Sequence, residues 1–252
     1  MGTLPTMFER DAAKGVHRIE DAYTNWYLLE EDGRFTVVDC GIRASWKSLA
    51  TALVELHASL DDIEAIVLTH AHFDHTGFAE RLRVERQIPV WVHENDAPLT
   101  KHPLQYGHAR SRIPYLFNPK SLPIAAAMFA GRAFWPTPIK EVRTFTEGDD
   151  LPVPGSPEIV YTPGHTLGHC AFHLPDRDAV IAGDAVVMLD PYMGAKGPRI
   201  VSAAATVDVE RNLRTLDAIA ETGAQIVLTG HGDTWFGGAA EAVRLAREAG
   251  PN

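Results

Sequence analysis

His70-Ala71-His72-Phe73-Asp74-His75 is the stretch on which the reading of this 252-residue chain turns. Extended backbone sends residues i and i+2 to one face, so His70 and His72 can converge on a single cation. Asp74 and His75 follow where the chain leaves the strand and can turn toward a second cation. Imidazole and carboxylate are donors that zinc favours. The segment just before, Ile63–Thr69, reads as a short buried strand that ends in the cluster. A histidine-rich surface turn is the plain alternative, and three later segments weigh against it.

Thr162-Pro163-Gly164-His165 places a histidine in a Pro-Gly turn after a strand. Ala182-Gly183-Asp184 places a carboxylate at a strand end. Gly230-His231-Gly232 sets a histidine between two glycines, where backbone can bend closely around an ion. The strand-like run Ile66-Val67-Leu68-Thr69 before His70 is echoed by Ile226-Val227-Leu228-Thr229 before Gly230-His231. Two similar strands, each delivering a histidine at its C-terminal end, suit a pseudo-symmetric α/β arrangement.

Around these points the chain alternates strands and helices. Gly15–Ile19, Asn25–Glu30 and Phe35–Asp39 read as strands, with a hairpin turn at Glu31-Asp32-Gly33. Ser45 can cap a helix reaching about Leu60, since Trp46, Leu49, Leu53, Leu56 and Leu60 share one face. A helix over Phe78–Gln87 and a strand over Val90–Val92 follow. Further strands are expected near Val142–Phe145, Ile159–Thr162, Ala171–Leu174, Val180–Ala182 and Gln225–Thr229, with helices over Val207–Thr222 and Gly237–Ala249. Residues 98–140 differ: they hold seven prolines and no sustained period beyond a helical turn or two at Ile124–Phe129. Long irregular inserts of this kind are lids, binding loops or disordered segments.

The formal charge of −10 argues against nucleic acid or an anionic membrane as partner. Residues 1–13 contain Glu9, Arg10 and Asp11 and no apolar core, unlike a secretory signal, and no apolar run is long enough to span a bilayer. Cys40 and Cys170 are far apart and read as reduced packing residues, so a cytoplasmic location is expected. The insert holds Lys101, Arg110, Arg112, Lys120, Arg132 and Lys140 and no acidic residue. A solvated basic loop, a contact between copies of the chain, and a lid that steers an anionic small-molecule substrate all fit this composition. Tyr106, Tyr115, Phe117, Phe129, Phe134 and Trp135 would line such a lid, or pack against the body of the protein. His102 and His108 read as surface residues, and His93, at a strand end, as structural.

The ordered set of Asp39 in Val37-Val38-Asp39-Cys40-Gly41, the His70–His75 motif, His165, Asp184 and His231 resembles the metallo-β-lactamase superfamily. Within it, the resemblance is to the hydrolase branch containing glyoxalase II and the acyl-homoserine lactonases. It runs from about Gly15 to Asp233, with residues 98–140 as a variable insert. It implies an α/β fold, a four-layer αββα sandwich formed by one domain over residues 1–252. It further implies two zinc ions, with iron or manganese as substitutes. One would be held by His70, His72 and His165, the other by Asp74, His75 and His231, and Asp184 would bridge them. Asp39 would steady a ligand imidazole, and His169 would be structural. The implied activity is hydrolysis of an ester, lactone, thioester or amide by a hydroxide held between the metals, with Asp74 and Asp184 as the catalytic carboxylates. A metal-dependent phosphodiesterase and an iron-dependent persulfide dioxygenase are the competing activities.

The same comparison narrows the field. Zinc β-lactamases lack a bridging aspartate at the position of Asp184. Only residues 232–252 follow His231, too few for the helical domain of glyoxalase II. Lactonases have a tyrosine soon after the bridging aspartate, where this chain has Val186 and Val187, with Tyr192 nearby.

Overall fold

The computed structural model describes residues 6–251, except the side chains of Leu116 and Phe117. Strands β1 (Thr6–Ala13), β2 (Val16–Asp21), β3 (Thr24–Glu31) and β4 (Arg34–Val38) form an antiparallel meander. β5 (Ile63–Val67), β6 (Val90–His93) and β7 (Arg143–Phe145) extend it in parallel, giving a seven-stranded sheet in chain order. Asp32 and Gly33, both at positive φ, make the two-residue turn between β3 and β4. Such a turn matches the right-handed twist of the strands it joins.

A second sheet has the order β13 (Ile226–Thr229), β10 (Ala179–Gly183), β9 (Cys170–Leu174), β8 (Glu158–Tyr161). Here β13 runs parallel to β10 while β8, β9 and β10 are antiparallel. β11 (Val187–Asp190) and β12 (Ala195–Arg199) form a separate hairpin.

The period-2 geometry of the strands sorts their side chains into layers. On β3, Trp26 and Leu28 face the helices α1 (Trp46–Glu55) and α2 (Ala79–Arg86), where they meet Leu49, Leu53 and Leu82. Tyr27 and Leu29 point the other way and meet Phe172, Ile181 and Leu228 of the second sheet. The outer face of that sheet packs Val180 and Val227 against Leu216 and Ile219 of α4 (Val209–Glu221) and Ala242, Val243 and Ala246 of α5 (Ala239–Ala249). Helix, sheet, sheet, helix is thus the order of layers, as expected. No helix among the described residues is long and apolar enough to cross a membrane.

Several expectations need correction. α1 ends at Glu55, not near Leu60, although the apolar period continues. His57 adopts a left-handed conformation; Ala58 N donates to Leu53 O and His57 N to Val54 O, a closure that terminates a helix whatever its apolar pattern. Ser45 does not cap α1 with its side chain; its Oγ accepts from Ile42 N instead. The sheet begins with β1 at Thr6, ahead of the first strand expected at Gly15, and residues 1–5 lie outside the described residues. No alternating pattern announces the hairpin β11–β12, because its sequence is broken by Pro191, Gly194, Gly197 and Pro198. In the insert, α3 (Leu122–Ala130) is nine residues long, and Ile124 and Met128 anchor it.

Phe172 is fully buried between the sheets. Phe172→Ala is expected to lower unfolding stability by about 3–5 kcal/mol through lost contacts and a residual cavity, read by urea denaturation of the metal-free protein.

Candidate metal centre

The chain ends of β5, β8, β10 and β13 meet at one rim of the two sheets. His70, His72, Asp74 and His75 follow β5, His165 follows β8, Asp184 follows β10 and His231 follows β13. All seven are buried. Donor atoms of His70, His72 and His165 lie within 4.8 Å of one another, and so do those of Asp74, His75 and His231. Asp184 stands between the two groups. Its Oδ2 is 3.4 Å from Nε2 of both His165 and His231 and 4.0 Å from that of His70, and its Oδ1 is 3.7 Å from His75 Nε2. The structure therefore brings together every residue the sequence singled out for the centre.

The surroundings decide which way each imidazole faces. Asp39 Oδ2 accepts from Nδ1 of His75 at 2.9 Å and from the Thr69 hydroxyl at 2.8 Å. With its hydrogen committed, Thr69 Oγ1 can only accept from His70 Nδ1, 3.0 Å away. His231 Nδ1 donates to the Tyr23 carbonyl at 2.6 Å. His165 Nδ1 faces Thr206 Oγ1 at 3.4 Å, whose own hydrogen goes to Val201 O. Four rings are thus fixed with an Nε2 lone pair turned inward, while His72 turns Nδ1 to within 3.0 Å of His165 Nε2. Asp39 has both oxygens occupied, Oδ1 by Thr69 N, and so braces the centre instead of joining it.

Nε2 of His70 and His75 and Oδ1 of Asp184, all turned toward this space, are buried with no hydrogen-bond partner. Leaving such an atom unsatisfied costs about 1–3 kcal/mol. Three in one small space make no sense as mere structure and fit as donors to divalent ions. Burial, reinforced by neighbouring imidazoles, drives the pKa values of His70 and His72 well down, and burial drives His165 down to about 4. These rings stay neutral and keep their lone pairs. Burial would also lower His75 and His231, but the charge of Asp184 first, with Asp39 and Asp74 beside His75 and Asp74 beside His231, outweighs it. The site's carboxylates thus attract positive charge, whether a proton or a metal cation.

Close backbone approach completes the packing. A Cβ on Gly230 would lie 1.9 Å from Asp184 Oδ1, so only glycine permits that carboxylate its position. His169 accepts from Asp184 N at 3.0 Å and meets Thr162 Oγ1 at 2.8 Å, holding the backbone that carries Asp184, in agreement with its structural reading. Buried His93 stacks on Tyr161, and His102 and His108 are exposed. Cys40 and Cys170 are free and buried, as expected.

Sequence reasoning missed Asp96. Its Oδ2 accepts from Ala71 N at 3.0 Å and Thr166 Oγ1 at 2.8 Å, and its Oδ1 from Gly168 N at 2.8 Å. It ties the His70–His72 segment to the His165 turn. Its partners are 25 to 72 residues away, so no local spacing announces it. Asn25 was missed likewise: its Nδ2 donates to the carbonyls of Thr229 and Gly232, on either side of His231.

The centre opens into a cavity of about 350 Å³, half of whose lining residues come from the insert. Leu104, Tyr106, Tyr115, Ile124, Met128 and Phe134 line it, with Tyr192 from the β11–β12 turn. Phe129 and Trp135 do not; they pack edge to face on the exposed side of the insert. The Phe117 side chain lies outside the described residues. Of the six basic residues of the insert, Arg112 alone lines the cavity.

Asp96→Asn keeps the size of the side chain but replaces one accepting oxygen with a donor that faces other donors. It is expected to cost about 1–3 kcal/mol of stability in the presence of chelator, measured by denaturant titration against the wild type.

The model of the metallo-β-lactamase superfamily matches residues 19–231. "Probable metallo-hydrolase YflN" of Bacillus subtilis (strain 168) is 26% identical over 239 residues, covering 88% of this chain and 85% of that protein. Among solved structures, a metallo-beta-lactamase family protein, TTHA1429 of Thermus thermophilus, superimposes with a TM-score of 0.65 at 24% identity, over 98% of this chain and 79% of that one. TTHA1623, solved in a di-iron-bound form, gives 0.61 at 24% identity, over 90% of this chain and 94% of that one. At that identity the two structures speak for the fold, and the family match spans every residue of the centre. The chain belongs to the metallo-β-lactamase superfamily.

Proposed function

We propose that this protein is a metal-dependent hydrolase that cleaves a carbonyl-type bond, in an ester, lactone, thioester or amide, with two divalent ions, zinc foremost. The observation that carries this reading is the set of inward-turned, unpartnered donors of His70, His75 and Asp184 at the floor of a largely apolar cavity. His70, His72 and His165 would hold one ion and Asp74, His75 and His231 the other, with Asp184 shared. Ions bound there would supply a water acidified toward neutral pH and an electrophile for the carbonyl oxygen.

The protein's own groups do the rest. Asp74 lines the cavity, with Oδ2 3.6 Å from His231 Nε2, and is placed to take a proton from the attacking water and return it to the departing oxygen, nitrogen or sulfur. Asp184 fixes the spacing of the two imidazole groups. The apolar wall excludes bulk water and accepts the body of the substrate. A phosphodiester suits this wall poorly, since it would meet one arginine, one serine and otherwise mainly apolar or aromatic surface. Activities of the lactonase and glyoxalase II kind come first within this reading. The free thiols of Cys40 and Cys170 suit a reducing, cytoplasmic setting. Zinc fits the imidazole-rich donor set, and iron is the natural substitute.

Elemental analysis followed by parallel assays of a lactone, a glutathione thioester, a β-lactam and an activated phosphodiester tests the proposal. Two metal ions per chain with carbonyl turnover is the expected result. Phosphodiester turnover alone, or one iron with oxygen consumption, would overturn it. His72→Ala should lose bound metal and at least about 10-fold in kcat/KM. Asp74→Asn should lower kcat by about 10²–10⁴-fold. Undiminished turnover in both variants would remove the scheme.

A further inference from the structure

Arg112 is a cation on the wall of a largely apolar cavity, and it forms no ion pair among the described residues, the carboxylates of Asp74 and Asp184 lining the same cavity at the centre itself. Its guanidinium carbon stands 4.2 Å over the Tyr106 ring. Nε donates to Ala204 O at 3.2 Å and Nη2 to Tyr106 O at 3.4 Å, which together fix the plane of the group. Nη1 finds no acceptor among the described residues. The insert offers no acidic residue between Pro98 and Lys140, so nothing nearby in sequence compensates the charge. The other five basic residues of the insert are exposed, and water solvates them. Arg112 is partly buried, where an unpaired charge carries a penalty that a bound anion would relieve.

Its position relative to the candidate metal centre is equally defined. The Tyr106 ring centroid is 4.0 Å from that of His72. The guanidinium carbon is therefore no more than about 8 Å from the His72 ring, the sum of the two spacings.

We propose that Arg112 binds a carboxylate carried by the substrate. The substrates are then amphipathic monoanions: a cleavable carbonyl, an apolar body filling the cavity, and a carboxylate a short chain away. This rests on the hydrolase reading above and narrows it. One guanidinium matches one carboxylate in charge and in planar geometry. A dianionic phosphate would keep a charge that no second Lys or Arg on the wall could meet.

Two probes test it on the metal-loaded protein: phenyl hydrogen glutarate, which carries a free carboxylate, and its methyl ester, in which that carboxylate is capped. Wild-type KM should be about 10- to 100-fold lower for the acid. Arg112→Gln should bring the ratio of the two KM values toward one, and Arg112→Lys should recover part of it. A purely structural role for Arg112 would leave the ratio where it was. Equal KM values in the wild type, or a ratio that survives Arg112→Gln, would overturn the assignment. Failure to cleave either phenyl ester would count against the hydrolase reading, not against Arg112. Calorimetric binding of 4-phenylbutyrate against 4-phenylbutyramide then decides the point without turnover. A preference for the acid that is lost in Arg112→Gln supports the site. No preference, or one that persists in the variant and so belongs to the metals, refutes it.

Discussion

Asp184 is a carboxylate taken almost wholly out of water and placed among imidazoles from three different segments of the chain. Burial alone would favour its protonated form, yet His231 and His75 hold its pKa well below the usual carboxylate range. That balance is the constraint on which the centre depends. The backbone has to bring the imidazoles to within about 4 Å of this side chain, because a buried charge is tolerable only when opposite charge or donors surround it. Gly230 lacks a Cβ because Asp184 lies where one would be, and His169 exists to hold the Asp184 amide.

Much of the orientation comes from backbone conformations that side-chain-bearing residues rarely adopt. Asp39 has φ +60° and turns its carboxylate beneath β5, where it fixes His75 directly and His70 through Thr69. Ala22 and Tyr23, at φ +51° and +70°, make the β2–β3 turn that presents the Tyr23 carbonyl to His231. Each costs of order 1–3 kcal/mol, and each persists where the surrounding hydrogen bonds overdetermine it. In both cases the strain sets a histidine tautomer. Local stability is lost, and a lone pair is aimed inward.

The insert follows another logic. It contributes none of the seven residues at the centre, but it supplies half of the residues that line the cavity. Main-chain bonds from Ala109 and Arg110 to Thr206 and Ala203 fasten it to the segment that also holds His165 through Thr206. The sheets thus carry the seven clustered residues while the insert lines the cavity in front of them. A loop placed in this way can change its lining without disturbing the ligand geometry.

The seven residues of the centre were legible in the sequence because each sits in a short local signature at a strand end: alternation in His70-Ala71-His72, glycines beside Asp184 and His231, and a Pro-Gly turn before His165. The α/β class was legible too, since apolar periodicity is a local property that burial imposes on every strand and helix, whereas the layer order followed only from the resemblance of the motifs to a known family. Asp96 and Asn25 were not legible, because their roles consist of hydrogen bonds, chiefly to backbone groups, 25 to 207 residues away. The end of α1 was hidden for a related reason: a left-handed His57 overrides an apolar pattern that runs on to Leu60. In the insert, composition revealed six cations but not that one alone would face the cavity. Which side of a loop turns inward depends on its contacts with the rest of the fold, and no period in the loop itself records that choice.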